Sequence, residues 1–105
     1  MKLNIPILDI KGEEIYSDDN GIAITIFDLV ISALLNSPLT SDESHRKSKR
    51  FVLAMKLTRN EDNDVSKIIT AKDITEITDA VRMYHPPLTV GRIAEIIDPN
   101  SLEDE

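Results

Sequence analysis

Arg46, Lys47, Lys49 and Arg50 put four cations within five positions, and Phe51, Val52, Leu53, Ala54 and Met55 follow at once. Such a run can grip phosphate or an acidic protein surface. It can also be the solvated start of a buried helix. Stacking on single-stranded nucleic acid needs interleaved rings, and none precedes Phe51. The four cations point in several helical directions, whereas a groove-reading helix needs polar base-reading side chains on one face. Asp73, Glu76 and Asp79 are the complementary set. Their three-residue spacing begins a carboxylate row along one helix face. A row of this kind could imitate a phosphate backbone towards a nuclease or polymerase. Both sets are candidate partner-binding residues.

The other reactive residue types lack the company that chemistry needs. His45 and His85 have no ligand-spaced companion and no orienting partner of the kind an acid–base catalyst requires. "EDNDVSKI" (61–68) lacks the central glycine and late glutamate of a calcium loop. Glycines occur only at 12, 21 and 91, too scattered for a phosphate-cradling loop. Gly91 and Arg92 near a helix start offer a weak anion site. No serine lies in a nucleophile-elbow context. The expectation is a non-enzymatic chain with no catalytic residue, metal or cofactor.

The cations stand in an acidic body. The chain of 105 residues carries a formal charge of −7. Residues 41–60 hold six Lys/Arg and two acids, for +4, and the rest holds six bases and seventeen acids, for −11. Such a body repels phosphate, which disfavours general nucleic-acid affinity. Cysteine is absent, so there is no disulfide frame or thiolate site. That composition suits a reducing cytosol. No signal peptide is evident, and the longest apolar run, 26–35, is too short to cross a bilayer.

The elements that would carry these residues read as α+β: about four helices with a small N-terminal β-hairpin in a single compact domain over 1–98. An acidic tail, 99–105, is expected to be disordered. "LNIPILDI" (3–10) alternates like a strand, with Pro6 demoting it to an edge, and Lys11-Gly12 would turn it back along 13–17. Thr25 and Asp28 begin a first helix that is apolar on almost every side and must be covered by other elements or a partner. Ser41 is expected to cap a second helix over 42–59. Asp42→Arg46 and Glu43→Lys47 would be favourable i,i+4 pairs there, with the first half of the helix projecting. Residues 65–69 read as a short strand. Thr70 and Asp73 form a capping box for a helix over 71–84, and Thr89 is expected to cap another over 90–98. The expected core includes Leu34, Phe51, Leu53, Met55, Leu57, Ile77, Val81 and Ile93.

Five stretches in this order, "LDIKGEEI", "ISALLN", "KSKRFVLAMKL", "IITAKDITEITDAV" and "PPLTVGRIAEIID", resemble a widespread group of short proteins encoded by tailed bacteriophages and prophages. The resemblance spans roughly residues 3–98. Most members of that group have no assigned activity, so it implies a setting rather than a reaction: a phage product acting in the bacterial cytoplasm. It also implies that Phe51, Leu53, Ala54 and Leu57 belong to the core.

Four functions fit these observations. The first is a non-enzymatic accessory protein that binds a host or phage protein. The others are an acidic inhibitor of a defence nuclease or polymerase, a nucleic-acid or nucleotide binder through residues 46–50, and a virion assembly chaperone. A homodimer is a further expectation. It would be driven by the apolar first helix and registered by contact of Arg46, Lys49 and Arg50 with Asp73, Glu76 and Asp79 across a two-fold.

Overall fold

A computed structural model describes residues 2–16, 21–39 and 44–99. It contains four helices: α1 (Ile26–Asn36), α2 (His45–Arg59), α3 (Ala71–Tyr84) and α4 (Pro87–Ile97). α1 packs against α2 and α3, and α4 packs against α3.

The fold is all-helical, which corrects the expected α+β class. Around Gly12 the described residues hold only isolated bridges, Pro6 with Thr25, Leu8 with Glu14 and Tyr16 with Ala23. Three backbone bonds explain why no sheet grows. Ile7 N–H donates to Ile24 O (2.8 Å), Ile24 N–H to Ile15 O (2.8 Å), and Ile15 N–H to Ile7 O (3.2 Å). The three residues close a ring, so each segment meets its two neighbours at one rung instead of continuing along either. Pro6 faces Thr25 between the bonds Ile7 N–H to Ile24 O and Ile26 N–H to Ile5 O, a position where the missing proline N–H leaves both bonds intact. The turn itself is as expected. Gly12 has a φ of 86° and donates to Asp9 O, while the Asp9 carboxylate accepts from the N–H groups of Lys11 and Glu13.

This trio fastens the N-terminal segment over α1. Ile26 N–H donates to Ile5 O and Phe27 N–H to Leu3 O, so two helix-start donors find partners outside the helix. Leu3 and Ile7 are buried as a result. Thr25 Oγ1 accepts from Asp28 N–H at 3.1 Å and caps the helix. The nearly all-round apolar helix is therefore covered within one chain by α2, α3 and the N-terminal segment. Leu35, at its last turn, stays exposed.

The other boundaries follow local chemistry. Residues 65–69 form a helical turn, not the expected strand: Ile68 and Ile69 both donate to Val65 O, which puts Val65 and Ile69 on one buried side. The capping box of α3 is complete, with Thr70 Oγ1 accepting from Asp73 N–H (3.1 Å) and Asp73 accepting from Thr70 N–H (3.0 Å). Thr70 is exposed, so Thr70→Ala removes the cap without opening the core. It is expected to cost about 1 kcal/mol in urea unfolding, with Thr70→Ser restoring most of it. An unchanged midpoint for the alanine variant would show the box to be idle. α4 starts at Pro87 rather than after Thr89. Proline suits the first helical position because its φ is already helical and its missing N–H has no intrahelical partner there.

The core joins Leu3, Ile7, Val30, Leu34, Leu53, Leu57, Ile77, Val81 and Ile93 among others. Phe51 (56 % exposed) and Met55 (37 % exposed) are corrections to the expected list. α2 buries Arg50, Leu53, Ala54 and Leu57, an i, i+3, i+4, i+7 stripe whose first member is an arginine. Asp42, Glu43, the Ser41 cap and the tail beyond Pro99 lie outside the described residues.

Candidate functional site

The two charged sets singled out in the sequence meet each other inside one chain. Arg46 donates from Nε and Nη2 to Glu76, at 3.1 and 2.5 Å to Oε2, and Nη2 also reaches Asp79 at 3.1 Å. Arg50 donates from Nε to Glu76 Oε2 at 2.9 Å and from Nη1 to the Ser37 hydroxyl. Lys56 Nζ bonds Asp73 Oδ2 and Ile68 O, each at 3.1 Å. The carboxylate row of α3 is thus laid against a row of cations on α2, with Arg50 almost wholly buried.

The first half of α2 is consequently docked on α3, not projecting. Its first turn contains no acid among the described residues, and Ser44 makes no side-chain cap bond. Cations near a helix N-terminus oppose its dipole. Glu76 and Asp79 supply the compensating charge from the neighbouring helix. Burial alone would push the Glu76 carboxyl up, but hydrogen bonds from Arg46 and Arg50, and their charges, hold it below its usual value. Burial likewise opposes ionisation of Asp73. Bonds from Thr70 and Lys56 outweigh it and keep that carboxyl low as well.

These pairs change what the candidate residues can do. Arg46, Arg50, Asp73 and Glu76 act as internal cement. Of the basic run, Lys47 and Lys49 remain exposed. The acidic row is already matched by cations, so it presents little of the uncompensated charge a phosphate mimic needs. The charge contact imagined across a two-fold is made within the chain.

Arg92, His85, Asp64 and Asp62 also have structural partners. Arg92 donates to Leu8 O (3.1 Å) and Asp9 O (2.5 Å) and pairs with Glu95, so it anchors the N-terminal turn. His85 Nε2 donates to Leu29 O at 2.8 Å and joins α3 to α1. Asp64 accepts from Ser66 N–H and Oγ, and Asp62 from Asn4. Among the described residues, no cluster of three or more His, Cys, Asp or Glu could hold a metal ion, and no helix is long and apolar enough to cross a membrane.

The outer face of α2 is an apolar surface left without cover among the described residues, as are Met83, Tyr84 and Leu88 near the α3–α4 junction. Phe51, Val52 (60 % exposed) and Met55 form the apolar stripe of α2, extended by Leu35 of α1. An open groove flanks the helix on each side. One, of about 470 Å³, runs towards the start of α3 past Ser48, Lys49, Val52, Lys56 and Lys72. The other, of about 220 Å³, lies between Leu35, Phe51, Met55 and Arg59. Sequence reasoning missed this face because it assigned Phe51 and Met55 to the core. The available signal was the composition of the helix: fifteen residues, six of them Lys or Arg, and no acid. No protein-family model, curated protein or solved structure matches the chain.

Proposed function

We propose that this chain is a non-enzymatic accessory protein that binds another protein through the outer face of α2. The setting that its resemblance to phage-encoded chains suggests is the bacterial cytoplasm, with a host or phage protein as the partner. A role in virion assembly is one form of this reading. The observation that carries it is the continuous apolar stripe of Phe51, Val52 and Met55, reaching Leu35, on a helix whose opposite side is packed. Apolar side chains scattered singly are ordinary on a protein surface, whereas a contiguous patch with a charged rim marks an interaction site.

Two readings weighed from the sequence lose their support. A nucleic-acid site at residues 46–50 would need Arg46 and Arg50, which are engaged by Glu76. A phosphate mimic at Asp73, Glu76 and Asp79 would need carboxylates that Lys56, Arg46 and Arg50 already neutralise.

The test is affinity capture from bacterial lysate with three forms of the chain, each shown by circular dichroism to be folded. Wild type and Ile10→Asp, which alters an exposed side chain in the N-terminal turn, are expected to recover the same stoichiometric partner. Val52→Asp/Met55→Asp is expected to lose at least about nine-tenths of it, because a charge in a desolvated apolar contact is strongly unfavourable. No stoichiometric partner for wild type, or equal recovery by the double variant, would remove the proposal.

A further inference from the structure

We infer that the segment seated on the outer face of α2 is an acidic amphipathic helix of a different protein. This rests on the protein-binding reading above and adds the chemistry of the partner.

Charge decides the sign. Of the six cations of α2, Arg46, Arg50 and Lys56 are paired by carboxylates of α3. Lys47, Lys49 and Arg59 are exposed and have no carboxylate partner among the described residues. Lys72, on the rim of the larger groove, is in the same position. Four cations thus surround the apolar stripe, and among the described residues none has a carboxylate partner. An acidic partner gains attraction at the rim and apolar burial at the centre, the usual anatomy of a specific interface. A second copy meets the opposite situation. An isologous contact through this face sets these cations against their own equivalents, in either direction of crossing. Nucleic acid suits the rim but not the Phe51, Val52 and Met55 stripe, and the acidic body repels it.

Shape decides the element. The backbone groups along α2 are engaged within the helix, so no edge is open for strand addition. A ridge between two grooves is the surface on which another helix packs, its own ridges entering the grooves on either side.

Val52→p-benzoyl-phenylalanine, in the full chain expressed in bacteria, places a photo-crosslinker at the centre of the face. Ile10→p-benzoyl-phenylalanine is the control. The expected product joins position 52 to a helical segment with net negative charge and apolar residues at i, i+3/i+4 and i+7. A synthetic peptide of that segment is expected to bind the wild-type chain in fluorescence anisotropy. Lys49→Glu/Arg59→Glu should weaken it at least about tenfold, as reversal of two rim cations opposite carboxylates requires, and added salt should weaken it too. Failure of the synthetic peptide to bind, or equal affinity of the charge-reversed chain, would overturn the inference. A crosslink to a second copy, to nucleic acid, or to a neutral or basic segment would also overturn it; a neutral or basic protein segment leaves the protein-binding reading standing. Absence of any crosslink above the Ile10 control would remove both.

Discussion

Glu76→Ala is expected to destabilise the fold by about 3 kcal/mol, because it leaves the buried guanidinium of Arg50 without its carboxylate. Removing one member of a buried pair costs more than the pair itself contributes, since the survivor stays desolvated. Arg46 keeps Asp79, and Arg50 keeps the Ser37 hydroxyl, which places the loss at the lower end of the range for such pairs. Arg50→Met/Glu76→Leu, which removes both charges and keeps apolar volume, is expected to recover most of the loss. Urea unfolding followed by circular dichroism measures all three chains. A loss below about 1 kcal/mol for Glu76→Ala would show that water screens the network as it does a surface pair.

The same network sets an acid limit. Folding lowers the pKa of Glu76 and of Asp73. Their contribution is therefore complete above the unfolded carboxylate value of roughly 4 and is lost as pH falls through the lower folded values. The melting temperature is expected to hold from neutral pH down to about 5 and then to drop steeply below about 4. Asp73→Asn/Glu76→Gln should begin from a lower melting temperature and show a shallower acid slope. An identical slope in that variant would assign the acid limit to other groups.

Leu53→Ala is expected to cost about 2–5 kcal/mol, and Phe51→Ala less than about 1 kcal/mol, although phenylalanine is the larger side chain. Leu53 is 4 % exposed and belongs to the main core cluster, so truncation leaves a cavity as well as a lost transfer free energy. Phe51 already meets water over more than half its surface. Equilibrium unfolding of the two variants settles the orientation of α2. If Phe51→Ala costs more than Leu53→Ala, the helix is turned by about half a revolution and the proposed binding face is in the core.

Much of the helical layout is written in local signals. Thr25 and Thr70 mark the starts of α1 and α3, and Pro86-Pro87 separates α3 from α4, because capping and proline geometry act within a few residues. Lys11-Gly12 marked the turn, whereas alternation in the N-terminal segment suggested a strand that does not form. Alternation could not indicate a sheet, because pairing depends on where a third segment arrives. Residues 21–25 pair with both of the other segments and replace a hairpin with a three-way set of isolated bridges.

The candidate site divides in the same way. The sequence alone determined that α2 is basic and that α3 bears a spaced carboxylate row. It could not choose the buried side of α2. Residues 51–55 are apolar in every direction, and at about 100° per residue five in succession cover the whole circumference. Only packing against α1 and α3 selects one stripe, and it selects the one beginning with Arg50, which looks least suited to burial until Glu76 is beside it. Tertiary structure therefore decided which charges hold the fold together and which face outward. A charge's role depends on the distance to its partner in space, and that distance is fixed by helix packing rather than by sequence spacing.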